Sequence, residues 1–148
     1  MKTNKINKIP FYRLIGVFMI VLITASCGKS PLSETFYSIE IFNNSSDTIC
    51  PYLAIGGGNT QYPDTLLPIE KPALVKIAPN ERFYYDSREP WSERINKLVA
   101  DTLSIFIIDS RIYKDSSWIK IRNENLILKR YDLSVAELEY LNWRVIYP

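Results

Sequence analysis

The chain has 148 residues, with 18 basic and 16 acidic side chains and a formal net charge of +2. It contains no histidine, which is the most frequent general base and metal ligand, so we expect no enzyme, no cofactor and no metal site. The four basic residues before residue 14 account for the positive balance, since residues 27–148 carry a net charge of −2. This distribution gives no basic stripe and argues against a nucleic-acid partner.

The N-terminal segment has the pattern of an export signal. Basic residues without any acid precede an apolar run over residues 14–25. The last two residues of this run begin the motif Thr24-Ala25-Ser26-Cys27. The run is shorter than the roughly 20 apolar residues that a membrane-spanning helix needs. We therefore predict a cleaved signal peptide over residues 1–26 rather than a permanent transmembrane anchor.

The four residues that end this segment resemble the lipobox of bacterial lipoproteins. The resemblance implies cleavage between Ser26 and Cys27 and a diacylglyceryl group on the Cys27 sulfur, which makes the membrane the expected partner. Two or more acyl chains give a stable anchor. The alternative is an ordinary secretory signal that leaves a soluble periplasmic protein, in which case a Cys27–Cys50 disulfide becomes feasible. With Cys27 lipidated, Cys50 is expected to be a buried free thiol.

Residues 27–34 are predicted to form a short polar tether. Lipoproteins exported to the cell surface tend to carry acidic residues directly after the cysteine, whereas here Gly28 and Lys29 come first and Glu34 comes late. The resemblance therefore favours a lipid-anchored protein of the outer membrane that faces the periplasm rather than the cell surface.

Residues 35–148 are predicted to form a single β-rich domain. Tyr37, Ile39 and Ile41 alternate with polar residues, as in a half-buried strand. Further strands are predicted at residues 48–55, 73–77, 82–86, 102–109, 126–131 and 143–147. Residues 102–109, TLSIFIID, form the most apolar of these runs, which predicts a central strand buried on both faces.

Two or three short helices are predicted between the strands. Trp91, Ile95 and Leu98 follow Pro90 with helical spacing. A second helix is predicted at residues 116–123, and a third starts at a capping box formed by Ser134 and Glu137 and ends at Asn142. The pattern indicates a β-sandwich-like domain of about seven short strands with helical insertions. The alternative is an α+β domain in which the helices cover one face of a single sheet.

Candidate functional residues are few. The glycine triplet at residues 56–58 lacks the lysine and the helix of a phosphate-binding loop. Most carboxylates lie beside turns, so no catalytic pair is predicted. Tyr84, Tyr85 and Trp91 are candidates for a ligand-binding platform, for example for glycans, although tyrosine and tryptophan also fill strands and cores.

Parts of the domain resemble a family of small, uncharacterised lipoproteins from Gram-negative gut-type bacteria. The resemblance covers most of residues 36–148 and depends on YPDTLLP at residues 62–68, DTLSIFI at residues 101–107 and YDLS at residues 131–134. It implies no known activity. We therefore expect a cell-envelope lipoprotein that acts as a non-catalytic tethered structural or interaction module. The alternative is a periplasmic or surface module that binds a ligand such as a glycan.

Overall fold

The computed structural model describes residues 36–55, 62–64 and 66–148, all of which belong to one compact unit, Thr35–Pro148. The predicted signal peptide, the lipidation and cleavage site at Ser26 and Cys27, the polar tether and the glycine triplet lie outside the described residues. No helix in the described ranges combines the length and apolarity needed to cross a membrane.

The described part of the chain is sheet-rich, with two three-stranded sheets. The strands are β1 (Tyr37–Asn43), β2 (Ile49–Ala54), β3 (Arg82–Ser87), β4 (Thr102–Asp109), β5 (Lys129–Ser134) and β6 (Arg144–Tyr147). Sheet A has the order β3-β1-β6, in which β1 is antiparallel to β3 and parallel to β6. Sheet B has the order β2-β4-β5 and is antiparallel throughout.

Four short helices occur between the strands, together with a 3₁₀ turn at Val99–Asp101. The helices are α1 (Trp91–Ile95), α2 (Ser110–Asp115), α3 (Trp118–Asn123) and α4 (Val135–Tyr140). The predicted capping box is confirmed at α4, where the Glu137 carboxylate accepts from Ser134 N at 2.7 Å and Ser134 Oγ accepts from Glu137 N at 3.3 Å. These bonds satisfy backbone donors that a helix start leaves unpaired.

The two sheets share one hydrophobic core. Alternate residues of β1 and β4 enter it, as the period of two in a strand requires. Its fully buried members include Ile39, Ile41, Ile49, Ile95, Leu103, Ile105, Ile107 and Leu138. Two tyrosine hydroxyls connect the sheets: Tyr85 of β3 donates to the Pro51 carbonyl of β2, and Tyr131 of β5 donates to the Ile146 carbonyl of β6, each at 3.0 Å.

A second cluster covers the other face of sheet B. Phe106 and Ile108 of β4 and Cys50 of β2 pack there with side chains of α3, including Trp118 and Ile121. The prediction that β4 is buried on both faces is therefore confirmed, since seven of its eight residues are buried. Cys50 is buried and is a free thiol, and burial raises its pKa.

Three expectations require correction. The strand predicted at residues 73–77 is reduced to a single bridge between Ile77 and Ile49. The strand predicted at residues 126–131 starts later, because Leu126 and Ile127 pack into the second cluster and Lys129–Ser134 pairs with β4. Helix α2 was not predicted. The described residues thus contain six strands and four helices rather than seven strands and two or three helices.

The side chain of Asn43 helps to hold the chain around Ile77 beside sheet B. This side chain is fully buried, and Nδ2 donates to the Asp47 carbonyl at 2.8 Å and to the Ile77 carbonyl at 3.0 Å. Oδ1 accepts from Ser45 N at 3.0 Å. One amide therefore satisfies the backbone of the β1–β2 turn and fixes Ile77 against β2, because buried polar groups need hydrogen-bond partners.

Candidate functional site

An open cleft of about 190 Å³ lies at the end of sheet A where β1 begins. We call it the aromatic cleft, and its lining residues are Tyr37, Ser38, Pro90, Trp91, Ser92 and Trp143. The start of β6 lies at the same end as the start of β1, because the two strands are parallel. The volume of the aromatic cleft is below the roughly 300–1,000 Å³ of pockets that enclose drug-sized ligands. The cleft could therefore hold one ring or one side chain.

Trp91 forms a fixed wall of the aromatic cleft. It is the first residue of α1, and Pro90 precedes it in an extended conformation with φ −51°. The indole Nε1 donates to the Tyr85 carbonyl at 3.0 Å, and the Arg94 guanidinium lies 4.7 Å from the ring centroid. Only 3% of Trp91 is exposed, so its main role is in the core.

Trp143 is held in an unusual backbone conformation. Asn142 and Trp143 have φ values of 52° and 58°, in the left-handed region. Asparagine tolerates this region, whereas a bulky residue there costs on the order of 1–3 kcal/mol. Trp143 N donates to the Leu138 carbonyl at 2.7 Å, and the Trp143 carbonyl accepts from Glu40 N at 2.9 Å. These two bonds fix the residue beside the aromatic cleft, and strain of this kind is concentrated at functional sites.

The open side of the aromatic cleft carries exposed aromatic and hydroxyl groups. Tyr37 is 41% exposed, and the preceding Phe36 is 51% exposed. Ser38 Oγ donates to the Asp86 carboxylate at 2.5 Å, and the Ser92 hydroxyl is the other polar group of the lining. The lining thus provides aromatic surfaces for stacking and two hydroxyls for hydrogen bonds, and none of its side chains is a carboxylate or a thiol.

Of the three predicted platform residues, only Trp91 lines the aromatic cleft. Tyr84 is 45% exposed on the solvent face of sheet A, opposite Glu40 of β1. Tyr85 points to the inner face, where burial raises the pKa of its hydroxyl. The structure therefore does not bring the three side chains together, because successive strand residues point to opposite faces.

Sequence reasoning did not single out Tyr37, and it named Trp143 only as one of several aromatic residues that could include a stacking platform. Two signals could have identified them. Phe36 and Tyr37 place two large aromatic side chains at the very start of a strand. The Asn142-Trp143 pair follows a helix end, where a left-handed residue is common.

The solvent face of sheet A is a second candidate region, which we call the outer face. It comprises Ser38, Glu40, Phe42, Arg82, Tyr84, Asp86, Arg144 and Ile146. The guanidinium groups of Arg82 and Arg144 lie 5.7 and 5.5 Å from the Phe42 ring centroid. Glu40 accepts from Arg144 Nε at 2.8 Å and lies 3.7 Å from Arg82. Tyr84 and Ile146 complete a surface of mixed aromatic and charged character.

Among the described residues, no group of three or more cysteine, aspartate or glutamate side chains is arranged to hold a metal ion. Comparisons with protein-family models, with curated proteins and with solved structures find no match to this chain.

Proposed function

We propose that this protein is a lipid-anchored cell-envelope protein that acts as a non-catalytic interaction module. Its sequence supports the anchor through the export signal and the lipobox-like residues that end at Cys27. The observation that supports the interaction role is the outer face of sheet A, on which the described residues form no hydrophobic cluster, in contrast to the helix-covered face of sheet B. The proposed location is the outer membrane, on the periplasmic side.

The outer face has the chemistry of a protein-binding surface. Interfaces are enriched in tyrosine, other aromatic residues and arginine, and the residues that dominate binding energy come from this set. Here Phe42 lies between two arginines, and Tyr84 and Ile146 are 45% and 49% exposed. Glu40 holds the arginines in place, so the surface is ordered before a partner binds.

We further propose that the two sheets form a β-sandwich-like arrangement. The shared core supports it, because residues of β1 and β4 pack into one cluster between the sheets. The tyrosine hydroxyl bonds at both pairs of edge strands are consistent with aligned sheets.

The anchor is tested by the intact mass of the protein isolated from its native membrane, with Cys27→Ala as the matched variant. We expect a chain that begins at Cys27 and carries added acyl mass, and we expect the variant to lack that mass. An unacylated, soluble wild-type chain would refute the lipid anchor.

The interaction role is tested by crosslinking in the native envelope. A photoreactive amino acid at Tyr84 is compared with the same amino acid at Ile119, which is 70% exposed on α3. We expect a discrete crosslinked protein from position 84 and none from position 119, with loss of the product in an Ile146→Lys background. The same products from both positions would mean that the outer face has no special role.

The aromatic cleft supports a second candidate function, the binding of a ring-shaped ligand such as a sugar. Tyr37 and Trp143 offer aromatic surfaces, and two serine hydroxyls lie beside them. Titration with chitin oligosaccharides should then change tryptophan fluorescence in a saturable way. Tyr37→Ser should abolish the change, since it removes a stacking surface and keeps every tryptophan.

A further inference from the structure

Exposed apolar side chains gather at the end of the domain where the described chain begins. Phe36 and Tyr37 are 51% and 41% exposed, and Tyr140 and Leu141 are 86% and 38% exposed. Together with Trp143 they form what we call the entry surface. Four of these five residues are aromatic. Monomeric proteins rarely expose large contiguous apolar patches without a function.

The register of sheet A places these residues at one end. β1 and β6 are parallel, with Glu40 opposite Arg144, and Glu40 N donates to the Trp143 carbonyl. Trp143 therefore lies beside the first residues of β1, and it lines the aromatic cleft together with Tyr37. Helix α4 ends at Tyr140, and the turn after it leads directly into β6.

We propose that the entry surface rests in the headgroup region of the bilayer that holds the lipid on Cys27. This inference depends on the proposed lipid anchor. Residues 27–34 separate the lipid from the domain, and eight residues span at most about 25–30 Å when fully extended. The described domain begins at Phe36, so the entry surface contains the described residues that are nearest to Cys27 along the chain.

The side chains of the entry surface fit the chemistry of the membrane interface. Tyrosine and tryptophan are enriched at headgroup level, where one end of the ring is apolar and the other is hydrated. Tyr140 has this character and is nearly free of protein contacts, since 86% of it is exposed. Arginine also anchors proteins at this level, and the Arg94 guanidinium lies 4.7 Å from the ring centroid of Trp91, which lines the aromatic cleft.

The two acidic side chains of α4 do not oppose the contact. The Glu137 carboxylate is engaged by Ser134 N and Oγ, each at 2.7 Å, at the start of α4 rather than beside Tyr140. Glu139 precedes Tyr140 in the helix, and adjacent helical residues do not face the same side.

Such an orientation has a consequence for both candidate regions. The bilayer would close the aromatic cleft, so a soluble sugar could not enter it. The outer face would remain accessible, because it lies along the strands rather than at their ends. Membrane contact would therefore leave the outer face open to a periplasmic partner.

The test uses protein extracted from its native membrane and reconstituted into phosphatidylcholine vesicles with or without brominated acyl chains. Bromine quenches indole fluorescence at short range. We expect stronger quenching in brominated vesicles for the wild type and loss of most of this difference in Trp143→Phe. The double variant Tyr140→Ser, Leu141→Ser keeps all tryptophans and should also lose quenching. Ile119→Ser, on the exposed side of α3, should behave as the wild type.

Equal fluorescence in brominated and plain vesicles would overturn the inference. A change in Trp143 fluorescence when chitin oligosaccharides are added to the membrane-bound protein would also overturn it. The intact mass of the same preparation shows separately whether Cys27 carries a lipid. If Cys27 carries no lipid, its thiol can be coupled to a maleimide lipid, since Cys50 is buried. The quenching measurement then shows whether the entry surface contacts the bilayer, independently of the natural anchor.

Discussion

The two sheets of this domain have the same number of strands but differ in how they are covered. Sheet B packs against sheet A on one face and against α2 and α3 on the other, so β4 is buried along nearly its whole length. Among the described residues, sheet A packs against a hydrophobic cluster on its inner face, and its outer face carries no such cluster. In the described part of the chain, sheet B therefore has a packed layer on each face, whereas sheet A has one on its inner face and exposes Tyr84 and Ile146 on the other.

The difference is already present in the composition of the central strands. β4 reads TLSIFIID, with apolar residues at consecutive positions, as in strands buried on two faces. β1 reads YSIEIFN, with buried Ile39 and Ile41 alternating with half-buried residues. A strand with one apolar face can cover a core, whereas a strand with two apolar faces must have a layer on each side.

The largest expected effect comes from removing apolar volume on either face of β4. Ile107→Ala and Ile108→Ala should each lower the free energy of unfolding by about 2–5 kcal/mol, because each removes a fully buried side chain. Ile146→Ala on the outer face of sheet A is the control, since 49% of Ile146 is exposed. Urea denaturation of the three variants measures the difference. If Ile108→Ala cost no more than Ile146→Ala, sheet B would not be buried on two faces.

A smaller effect is expected at the helix that helps to cover sheet B. Asp109 Oδ1 accepts from Arg111 N at 2.7 Å and from Ile112 N at 3.4 Å, and it caps α2. Asp109→Ala should cost about 0.5–2 kcal/mol, as is typical of a lost N-cap. Asp109→Asn, which keeps an acceptor oxygen, should cost less. Urea denaturation at pH 7 measures both variants.

The Asp109 effect should depend on pH. Its hydrogen bonds from the Arg111 side chain and from the backbone of α2 hold the pKa of Asp109 below its usual range. A lowered pKa in the folded state adds stability above the unfolded pKa, and this stability is lost as the pH falls through the folded pKa. The difference between wild type and Asp109→Asn should therefore shrink in acid. A constant difference from pH 7 to pH 2 would show that the Asp109 charge adds nothing.

The hydrogen bonds that join the two sheets at their edges should each contribute slightly less stability than the Asp109 cap. Tyr85→Phe removes the hydroxyl that donates to the Pro51 carbonyl at 3.0 Å and should cost about 0.5–1.5 kcal/mol. Burial raises the pKa of Tyr85, so the protein should lose stability as the pH rises above about 10, the unfolded value for tyrosine. This alkaline loss should be smaller in Tyr85→Phe.

Urea denaturation between pH 8 and pH 11 measures the alkaline loss. Tyr140→Phe is the matched control, because it removes the hydroxyl of a tyrosine that is 86% exposed. Identical pH profiles for Tyr85→Phe and the wild type would mean that the Tyr85 hydroxyl does not connect the sheets.

Much of the fold could be predicted from the sequence, because most strands carry a clear period. The strands around Ile39 and Ile105 and the capping box of α4 follow from local pattern alone. Helix α2 was missed because Asp109 has two roles. It ends the apolar strand and also caps the helix that begins at the next residue. A strand that passes directly into a helix gives no intervening turn signal.

The errors at residues 73–77 and 126–131 have another cause. Both stretches are apolar, and an apolar run alone does not reveal whether its backbone pairs with a strand or its side chains fill a core. Ile77 is fixed by a side-chain bond from Asn43, and Leu126 packs under α3. These are contacts between residues that are distant in sequence, so tertiary structure decides them.

The candidate site was less predictable than the fold. Trp91 was chosen for its residue type, and it does line the aromatic cleft. Tyr37 and Trp143 reach the same cleft only because β1 and β6 are parallel neighbours. Such a pairing depends on strand order, which the sequence left open.

The smallest effect is expected on the outer face of sheet A. Glu40→Gln should change the free energy of unfolding by only about 0–1 kcal/mol, because its arginine partners are partly exposed and surface ion pairs contribute little. Any loss should diminish at high salt, where exposed charges are screened. In contrast, the yield of the crosslinked product from position 84 should fall in Glu40→Gln, since Arg82 and Arg144 lose the carboxylate that orients them. A loss of stability as large as that of Ile108→Ala would instead show that the charges of the outer face support the fold, and the contrast between the two sheets would fail.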